Sequence, residues 1–234
     1  MTPIVERPEL AELSEEMRQA LRVLAAKCTV AVVSGRDLAD VRDLVAIDEI
    51  LYAGCHGFDI SGPEGQLDYP QGLDYLPDLD LAEQSLRKLL QEAPGCQVER
   101  KRFAIAVHFR RVADAQVPKV EAVVDEVLSG HDSLLKTEGK MSFELRPDIE
   151  WGKGKALNWI LQKLELDRQD VVPFYIGADL TDEDAFRELQ NRGITILVRD
   201  KRRPTAAHYA LESPKEVRLF LHRLAELLED PTDE

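Results

Sequence analysis

The sequence has few of the residues that mark disulfide-linked or membrane-spanning proteins. Its three cysteines, Cys28, Cys55 and Cys96, are widely spaced and form no CxxC pair. That pattern favours reduced structural thiols over a disulfide framework. No apolar run reaches the roughly 18 residues that a membrane-spanning helix needs. The acidic N-terminal stretch MTPIVERPELAELSEEMRQ is unlike a signal or transit peptide, and we therefore expect a cytoplasmic protein that does not bind membranes.

Basic residues are also outnumbered by acidic ones. Thirty Lys and Arg residues stand against 44 Asp and Glu, which gives a net charge of −14. This balance argues against nucleic acid or an anionic membrane as a partner. A small anionic substrate would need a local basic patch to overcome the overall field. With 234 residues, 44% of them hydrophobic, the chain can bury one substantial core and a smaller second one, and we expect a monomer.

Apolar periodicity at both ends of the chain predicts an α/β fold. Short β-branched runs such as CTVAVVSG are typical of buried parallel strands, and they alternate with stretches in which apolar residues recur every three or four positions. The predicted elements are helices 8–27, 36–45, 153–166 and 214–229 and strands 28–35, 49–60, 171–177 and 194–198.

The middle of the chain has a different pattern, which predicts an inserted module. A turn-rich connection over 61–80 leads to helices 80–93 and 116–128 and to the strand segments QVERK, FAIAVHFR and 133–147. Strands that alternate apolar and polar residues have one wet face, as in an antiparallel sheet covered by helices on one side. We predict an α+β domain over 73–147, inserted into a core formed by 1–72 and 148–234.

Two polar features lie where ligands bind in α/β sheets, beyond the carboxyl ends of the strands. Ser34 follows the apolar run TVAVV, and its hydroxyl and nearby backbone N–H groups could hold a phosphate. Lys153 and Lys155 open a predicted helix, although the helix dipole disfavours cations there. An anion that they neutralise would explain this placement. A polar turn at Ser34 and solvated lysines are the alternative interpretations.

A third feature is the acidic cluster in IGADLTDEDAF. Thr181 could cap a helix whose first turn is Asp182-Glu183-Asp184, and acids there complement the dipole. Capping does not explain Asp179, which precedes the helix at a strand end. Carboxylate oxygens are the ligands that Mg²⁺ prefers, often shared with a substrate phosphate. The cluster therefore predicts either a magnesium site or a capped helix start.

Taken together, these features resemble the trehalose-6-phosphate phosphatases of the haloacid dehalogenase (HAD) superfamily. The resembling segments occur in the family's order and cover nearly the whole chain: VVSGRDLADV, AGCHGFDI, VERKRFAIAVHFR, GKMSFELRP, WGKGKAL and YIGADLTDEDAF. The resemblance implies a HAD-like Rossmannoid core with an inserted α+β cap domain of the C2 type. It also implies hydrolysis of trehalose 6-phosphate to trehalose and phosphate.

The resemblance further implies roles for individual residues. Ser34 would bind the phosphoryl group, Lys153 would neutralise phosphate and nucleophile, and Asp179 and Asp182 would hold Mg²⁺. The remaining expected sugar-phosphate ligands are Arg36, His56, Glu99, Lys101, Lys140, Glu144 and Arg146. Carboxylates and lysines suit a polyhydroxylated substrate, because each hydroxyl needs a partner when it is buried.

The chain departs from the family pattern at its first motif. In the family an Asp-x-Asp-Gly-Thr element ends the first core strand and supplies the attacking Asp and the general acid and base. This motif is absent from the sequence, so we expect the first core strand to be missing and hydrolysis by these residues to be impaired. Ala178 stands where the family usually has Asp, and Cys55 where it commonly has Asn.

Three alternatives to this function remain open at the level of sequence. The substrate could be another sugar phosphate, such as sucrose phosphate or a glucosyl-glycerate phosphate. The chain could bind a sugar phosphate without cleaving it, as a regulatory protein. It could also be a truncated product with no independent role.

Overall fold

A computed structural model of the chain describes residues 11–67, 70–139, 141–199 and 202–228. The chain divides into two compact units, which we name the core unit (Met1–Leu67 with Trp151–Glu234) and the insert unit (Asp68–Glu150). The domain bounds predicted from sequence, 73–147 for the insert, fall a few residues inside the observed ones. None of the helices in the described ranges is long and apolar enough to cross a membrane.

The first half of the core unit forms a four-stranded sheet in the order β1-β2-β3-β4. Its elements are α1 (Glu15–Ala25), β1 (Ala31–Val33), α2 (Leu38–Val45), β2 (Leu51–Gly54), β3 (Asp59–Gly62) and β4 (Gly65–Gln66). β1 and β2 are parallel, whereas β2, β3 and β4 pair antiparallel. The single strand predicted over 49–60 is therefore wrong, because a 3-10 turn at Cys55–Gly57 breaks it into β2 and β3.

The second half of the core unit forms a three-stranded parallel sheet in the order β11-β10-β9. Its elements are α6 (Lys153–Lys163), β9 (Phe174–Gly177), α7 (Asp182–Glu188), β10 (Ile194–Val198), β11 (Tyr209–Leu211) and α8 (Pro214–Leu227). The sequence analysis missed β11, which is three residues long with two of them exposed. So short a run carries no recognisable period.

Two apolar layers of the core unit include residues from both sheets. One layer brings together Val32 of β1, Ile176 of β9 and side chains of α1 and α8. The other includes Val33 of β1, Tyr175 of β9 and side chains of α6 and α7. Within the described ranges, however, no hydrogen-bond ladder joins β1 to β9, and each of these strands ends its sheet.

The burial of β1 and β9 reflects these open edges. β2 is buried along its whole length, whereas Ala31 of β1 and Phe174 of β9 are exposed. Apolar parallel strands are normally covered on both faces, and a strand edge presents unpaired N–H and C=O groups. The α/β architecture is thus confirmed, and within the described ranges no strand pairs with the open edges of β1 and β9.

The insert unit is an antiparallel sheet with helices on one face. Its strands run in the order β5-β6-β8-β7, and its apolar cluster combines α4 and α5 with one face of β6 and β8. The elements are α3 (Pro70–Leu73), α4 (Leu76–Leu89), β5 (Gln97–Lys101), β6 (Ala104–His108), α5 (Val117–Leu128), β7 (Leu134–Gly139) and β8 (Ser142–Pro147). α4 begins four residues earlier than predicted, since Pro77 is well tolerated in a first helical turn.

Candidate active site

Ser34 lies directly after β1, where its backbone is tied to the end of β2. Its N–H donates to the Ala53 carbonyl at 2.8 Å, and its carbonyl accepts from the His56 N–H at 2.8 Å. Its hydroxyl accepts from the Arg36 N–H at 3.1 Å. Because that bond uses the hydroxyl as an acceptor, the O–H proton can still be donated to a ligand. The predicted residues Ser34 and Arg36, in the turn after β1, and His56, in the turn after β2, are thus joined by backbone hydrogen bonds.

The turn after β2 packs closely against α6. His56 adopts a left-handed backbone conformation with φ of 58°, and its ring lies 2.7 Å from where a Cβ on Gly35 would be. Gly57 has φ of +94°, and a Cβ there would fall 2.1 Å from the Ala156 Cβ of α6. Glycine is required at residue 57 for both reasons. The ends of β1 and β2 are therefore brought against the first turns of the helix that carries Lys153.

Lys153 is buried and is held by Asp182. Its Nζ donates to Asp182 Oδ1 at 2.7 Å, and the Tyr175 hydroxyl donates to the same oxygen at 2.8 Å. Asp182 Oδ2 accepts from the backbone N–H groups of Ala178 and Asp179, each at 2.8 Å. Four donors therefore occupy the lone-pair sites of one carboxylate. This network fixes the loop after β9 and the ammonium group in a single arrangement.

The charges of this network shift the pKa values of its members. Burial alone would raise the pKa of Asp182, but the charge and hydrogen bond of Lys153, with help from the Asp179 N–H and Tyr175, lower it below its ordinary value. The pKa of Tyr175 is raised well above its usual value, first by burial and then by the negative charge of Asp182. Asp182 is therefore an ionised acceptor and Tyr175 a protonated donor.

The rest of the acidic cluster is used within the fold. Asp184 Oδ2 accepts from the Gly154 N–H at 3.0 Å and so caps the start of α6 from a neighbouring helix. Glu183 Oε2 accepts from the Ala206 N–H at 2.8 Å. Thr181 is the N-cap residue of α7, as predicted, but its side chain makes no capping hydrogen bond. Asp184 supplies negative charge beside the two lysines at the start of α6.

These contacts bear on the predicted magnesium ligands Asp179 and Asp182. Asp182 would have to give up some of its four hydrogen bonds to bind a cation, whereas Asp179 is exposed at the end of β9. Among the described residues, no group of three or more His, Cys, Asp or Glu side chains could hold a metal ion. Magnesium is usually bound by one or two carboxylates together with waters and substrate phosphate, so magnesium binding stays a prediction.

The predicted sugar ligands of the insert unit lie on the sheet face opposite its helices. Glu99 of β5 pairs with Ala106 of β6, and Ala106 pairs with Glu144 of β8. Lys101 Nζ donates to Glu144 Oε1 at 2.7 Å across the small Ala106. Since alternate residues of a strand share a face, Arg146 lies on the same side as Glu144. Lys140 is outside the described residues.

His108 joins this face although the sequence analysis did not name it as a ligand. Its Nε2 lies 2.6 Å from Glu99 Oε2. It follows Ala104 and Ala106 at steps of two, which places it on the same face as Glu99 and Glu144. That alternation was the signal available in the sequence segment AIAVHFR. We name Glu99, Lys101, Ala106, His108, Glu144 and Arg146 the polar face.

Comparison with known proteins identifies the family. The family model described as trehalose-phosphatase matches residues 1–215. The chain is similar to trehalose-phosphate phosphatase B of Arabidopsis thaliana, with 40% identity over 97% of the chain and 64% of that protein. It is also similar to the trehalose-phosphate phosphatase of Mycobacterium marinum, with 43% identity over 97% of the chain and 60% of that protein. The chain thus spans less than two thirds of the length of either relative.

Solved structures show the same fold. A trehalose-6-phosphate phosphatase related protein superposes with a TM-score of 0.80 at 22% identity, covering 97% of this chain and 93% of that one. The trehalose-6-phosphate phosphatase of Aspergillus fumigatus superposes with a TM-score of 0.65 at 25% identity, covering 96% of this chain and 88% of that one. The motif order, the fold and the family match together show that this chain belongs to the trehalose-phosphatase family.

Proposed function

We propose that this chain binds trehalose 6-phosphate as the substrate of a phosphatase that releases trehalose and phosphate. The observation that carries the proposal is the buried Lys153 ammonium, which Asp182 fixes at the start of α6. A buried cation costs free energy to maintain even when one carboxylate is paired with it. An anionic ligand in the same place accounts for its presence.

The core unit would bind the phosphoryl group. The Lys153 ammonium has three N–H donors, and Asp182 takes one of them at 2.7 Å, so the others can reach phosphate oxygens. The Ser34 hydroxyl proton adds a neutral donor beyond the end of β1. The two groups would bind and orient the ester and lower the cost of negative charge that develops during transfer.

The insert unit would bind the sugar through its polar face. Carboxylates accept from sugar hydroxyls, whereas Lys101 and Arg146 donate to them. The Nε atom of Arg146 is buried and has no hydrogen-bond acceptor among the described residues. A sugar hydroxyl would supply the missing acceptor, since leaving such a group unpaired is unfavourable.

In the family the chemical step uses the first Asp of the Asp-x-Asp-Gly-Thr motif, which is absent from this sequence. The family resemblance places this Asp on a strand between β1 and β9, each of which ends its sheet among the described residues. We propose that hydrolysis depends on a strand being paired there. Mg²⁺ remains a predicted cofactor with Asp179 as its exposed carboxylate, and a bound Mg²⁺ would neutralise phosphate charge.

Isothermal titration with trehalose 6-phosphate, sucrose 6-phosphate, glucosyl-glycerate phosphate and inorganic phosphate tests the binding proposal. Tightest binding of trehalose 6-phosphate is expected. Lys153→Met should abolish measurable phosphate affinity, while the matched control Lys155→Met, two residues along the same helix, should retain it. Equal phosphate affinity in the two variants would contradict the assigned role of Lys153. Tighter binding of another sugar phosphate would identify that ester, and not trehalose 6-phosphate, as the preferred ligand.

Phosphate release tests the chemical step separately. The chain is assayed with and without Mg²⁺, and then with an added peptide of apolar residues ending in Asp-x-Asp-Gly-Thr. Turnover that appears only with the peptide supports a strand requirement, and an Asn-x-Asn-Gly-Thr peptide is the control. Turnover by the chain alone would contradict that requirement. Binding without turnover under every condition would favour the non-catalytic, regulatory alternative.

A further inference from the structure

The arrangement of the polar face assigns a role to His108, which we propose is a positioning residue that orients Glu99 toward a sugar ligand. This proposal rests on the proposed function, because it concerns recognition of the disaccharide. It goes beyond it by adding a residue that contributes to sugar recognition through its effect on another side chain.

The polar face has two carboxylates separated by one small residue. Glu99 and Glu144 both pair with Ala106, one from each side. With strands about 4.8 Å apart, the two backbone positions are separated by about 10 Å. The Ala106 methyl group lies between them, and Lys101 reaches across it to Glu144. The two carboxylates therefore lie on either side of β6, on one face of the sheet.

Each carboxylate is held by its own nitrogen base. Lys101 holds Glu144 at 2.7 Å, and the side chains of this pair are 15% and 17% exposed. His108 holds Glu99 at 2.6 Å, and the side chains of this second pair are 39% and 44% exposed. The Glu99 end of the face is therefore the more open to a ligand. Because His108 contacts Oε2, the Glu99 carboxylate does not rotate freely. Its other oxygen, Oε1, is therefore held in one orientation.

A purely structural role explains this pair less well. The insert unit is held together on the other face of its sheet, where Ile105, Val107 and Leu145 are fully buried against α4 and α5. A side-chain contact as exposed as that between Glu99 and His108 contributes little to stability. Holding two side chains in one geometry has an entropic cost. A ligand that binds that geometry then loses less free energy to side-chain ordering on binding.

Arg146 supplies an independent indication that the face takes a ligand. Its Nε atom is buried and lacks an acceptor within the described part of the chain. Glu99 offers an acceptor and Arg146 an unsatisfied donor on the same face. Sugar hydroxyls, which both donate and accept, can satisfy the two groups at once.

The test is titration of the whole chain with trehalose 6-phosphate, trehalose and inorganic phosphate. His108→Leu removes the contact with Glu99, and His108→Gln keeps an N–H donor on a side chain of similar reach. His131→Leu, in the loop between α5 and β7, is the matched control. His108→Leu should weaken trehalose 6-phosphate binding about 10-fold, the scale of one charge-assisted hydrogen bond. His108→Gln should recover most of that loss.

Two further comparisons separate positioning from general damage. Inorganic phosphate affinity and the thermal midpoint should be the same in His108→Leu and His131→Leu. In a Glu99→Gln background, the His108→Leu change should have less than half of its effect, because the group that it orients is altered. These results together would establish that His108 acts through Glu99.

The outcomes that overturn the proposal are distinct from one another. If the wild-type chain binds no trehalose 6-phosphate, the proposed function and this inference both fail. If it binds, and His108→Leu matches His131→Leu, only the inference fails. If His108→Leu weakens sugar and inorganic phosphate alike, or if its effect is unchanged in the Glu99→Gln background, positioning of Glu99 is excluded.

Discussion

Asp182 of the core unit and Glu99 of the insert unit are both carboxylates paired with a nitrogen base, yet they differ in almost every physical respect. Asp182 is 5% exposed and accepts four hydrogen bonds. The Glu99 side chain is 44% exposed and contacts His108 through one oxygen. A saturated buried carboxylate can only fix its partners, whereas an open one keeps lone pairs for a ligand. The core unit therefore presents a rigid cation, and the insert unit presents acceptors that can still bind.

The largest expected effect comes from breaking the buried pair. Asp182→Asn leaves Lys153 without its counter-charge, and loss of one partner of a buried pair costs about 3–5 kcal/mol. Urea denaturation should show this loss in the free energy of unfolding. The control is Asp170→Asn, whose exposed pair with Arg168 should change stability by less than about 1 kcal/mol.

A double variant makes the comparison sharper. Lys153→Met combined with Asp182→Asn removes both charges, so it should be more stable than Asp182→Asn alone. The 2.7 Å contact implies that the two side chains are energetically coupled. If the losses in unfolding free energy of the two single variants simply add in the double variant, that coupling is absent.

The same pair should make stability depend on acid. The pKa of Asp182 is lowered in the folded chain, so its contribution is fully present above the unfolded value of about 4. That contribution is lost as the pH falls through the folded value. Unfolding free energies measured across that acid range should fall less steeply in Asp182→Asn than in the wild type. If the unfolding free energy depends on pH with the same slope in both proteins, the pKa of Asp182 is not lowered by folding.

A smaller effect is expected from removing one of the four donors to Asp182. Tyr175→Phe keeps the ring, which packs edge-on to Phe186, but deletes the hydroxyl bonded to Oδ1 at 2.8 Å. The expected cost is about 1–2 kcal/mol, measured by denaturation. Tyr209→Phe, at a side chain that is 64% exposed, is the control. Equal stability of the two variants would show that three donors suffice.

The smallest effect on stability is expected on the polar face. Glu99→Gln should change the free energy of unfolding by less than about 1 kcal/mol, because its pair with His108 is exposed. The same change should nevertheless weaken trehalose 6-phosphate binding in titration. A stability loss as large as that of Tyr175→Phe would show that the Glu99 contact stabilises the fold as much as one of the hydrogen bonds to Asp182.

Much of the secondary structure could be predicted because it depends on local pattern. The runs AVV, LYAG and ITILV are apolar and β-branched or flanked by turns, and the strands lie there. The break at Cys55–Gly57 could not be predicted, because it depends on the close approach of Gly57 to Ala156, about 100 residues away in the chain. The early start of α4 was missed because Pro77 suggested a turn rather than a first helical turn.

The candidate site shows the same division between local and long-range information. Sequence pattern placed Lys153 and the acidic cluster at the ligand-binding ends of the strands, but the cluster was interpreted as metal ligands or helix caps. In the structure Asp182 holds Lys153, 29 residues away, and Asp184 caps a different helix from its own. A carboxylate's partner depends on which donors the fold brings within 3 Å, and no local pattern specifies them.

The amino-acid sequence by itself therefore determined the alternation of helices and strands, the inserted module, the family and the absence of the Asp-x-Asp-Gly-Thr motif, because each follows from residue types and their spacing. Only the tertiary structure decided that Asp182 positions a lysine, that His108 contacts Glu99, and that β1 and β9 each end a separate sheet. These features depend on contacts between distant segments, and such contacts form only when the chain packs.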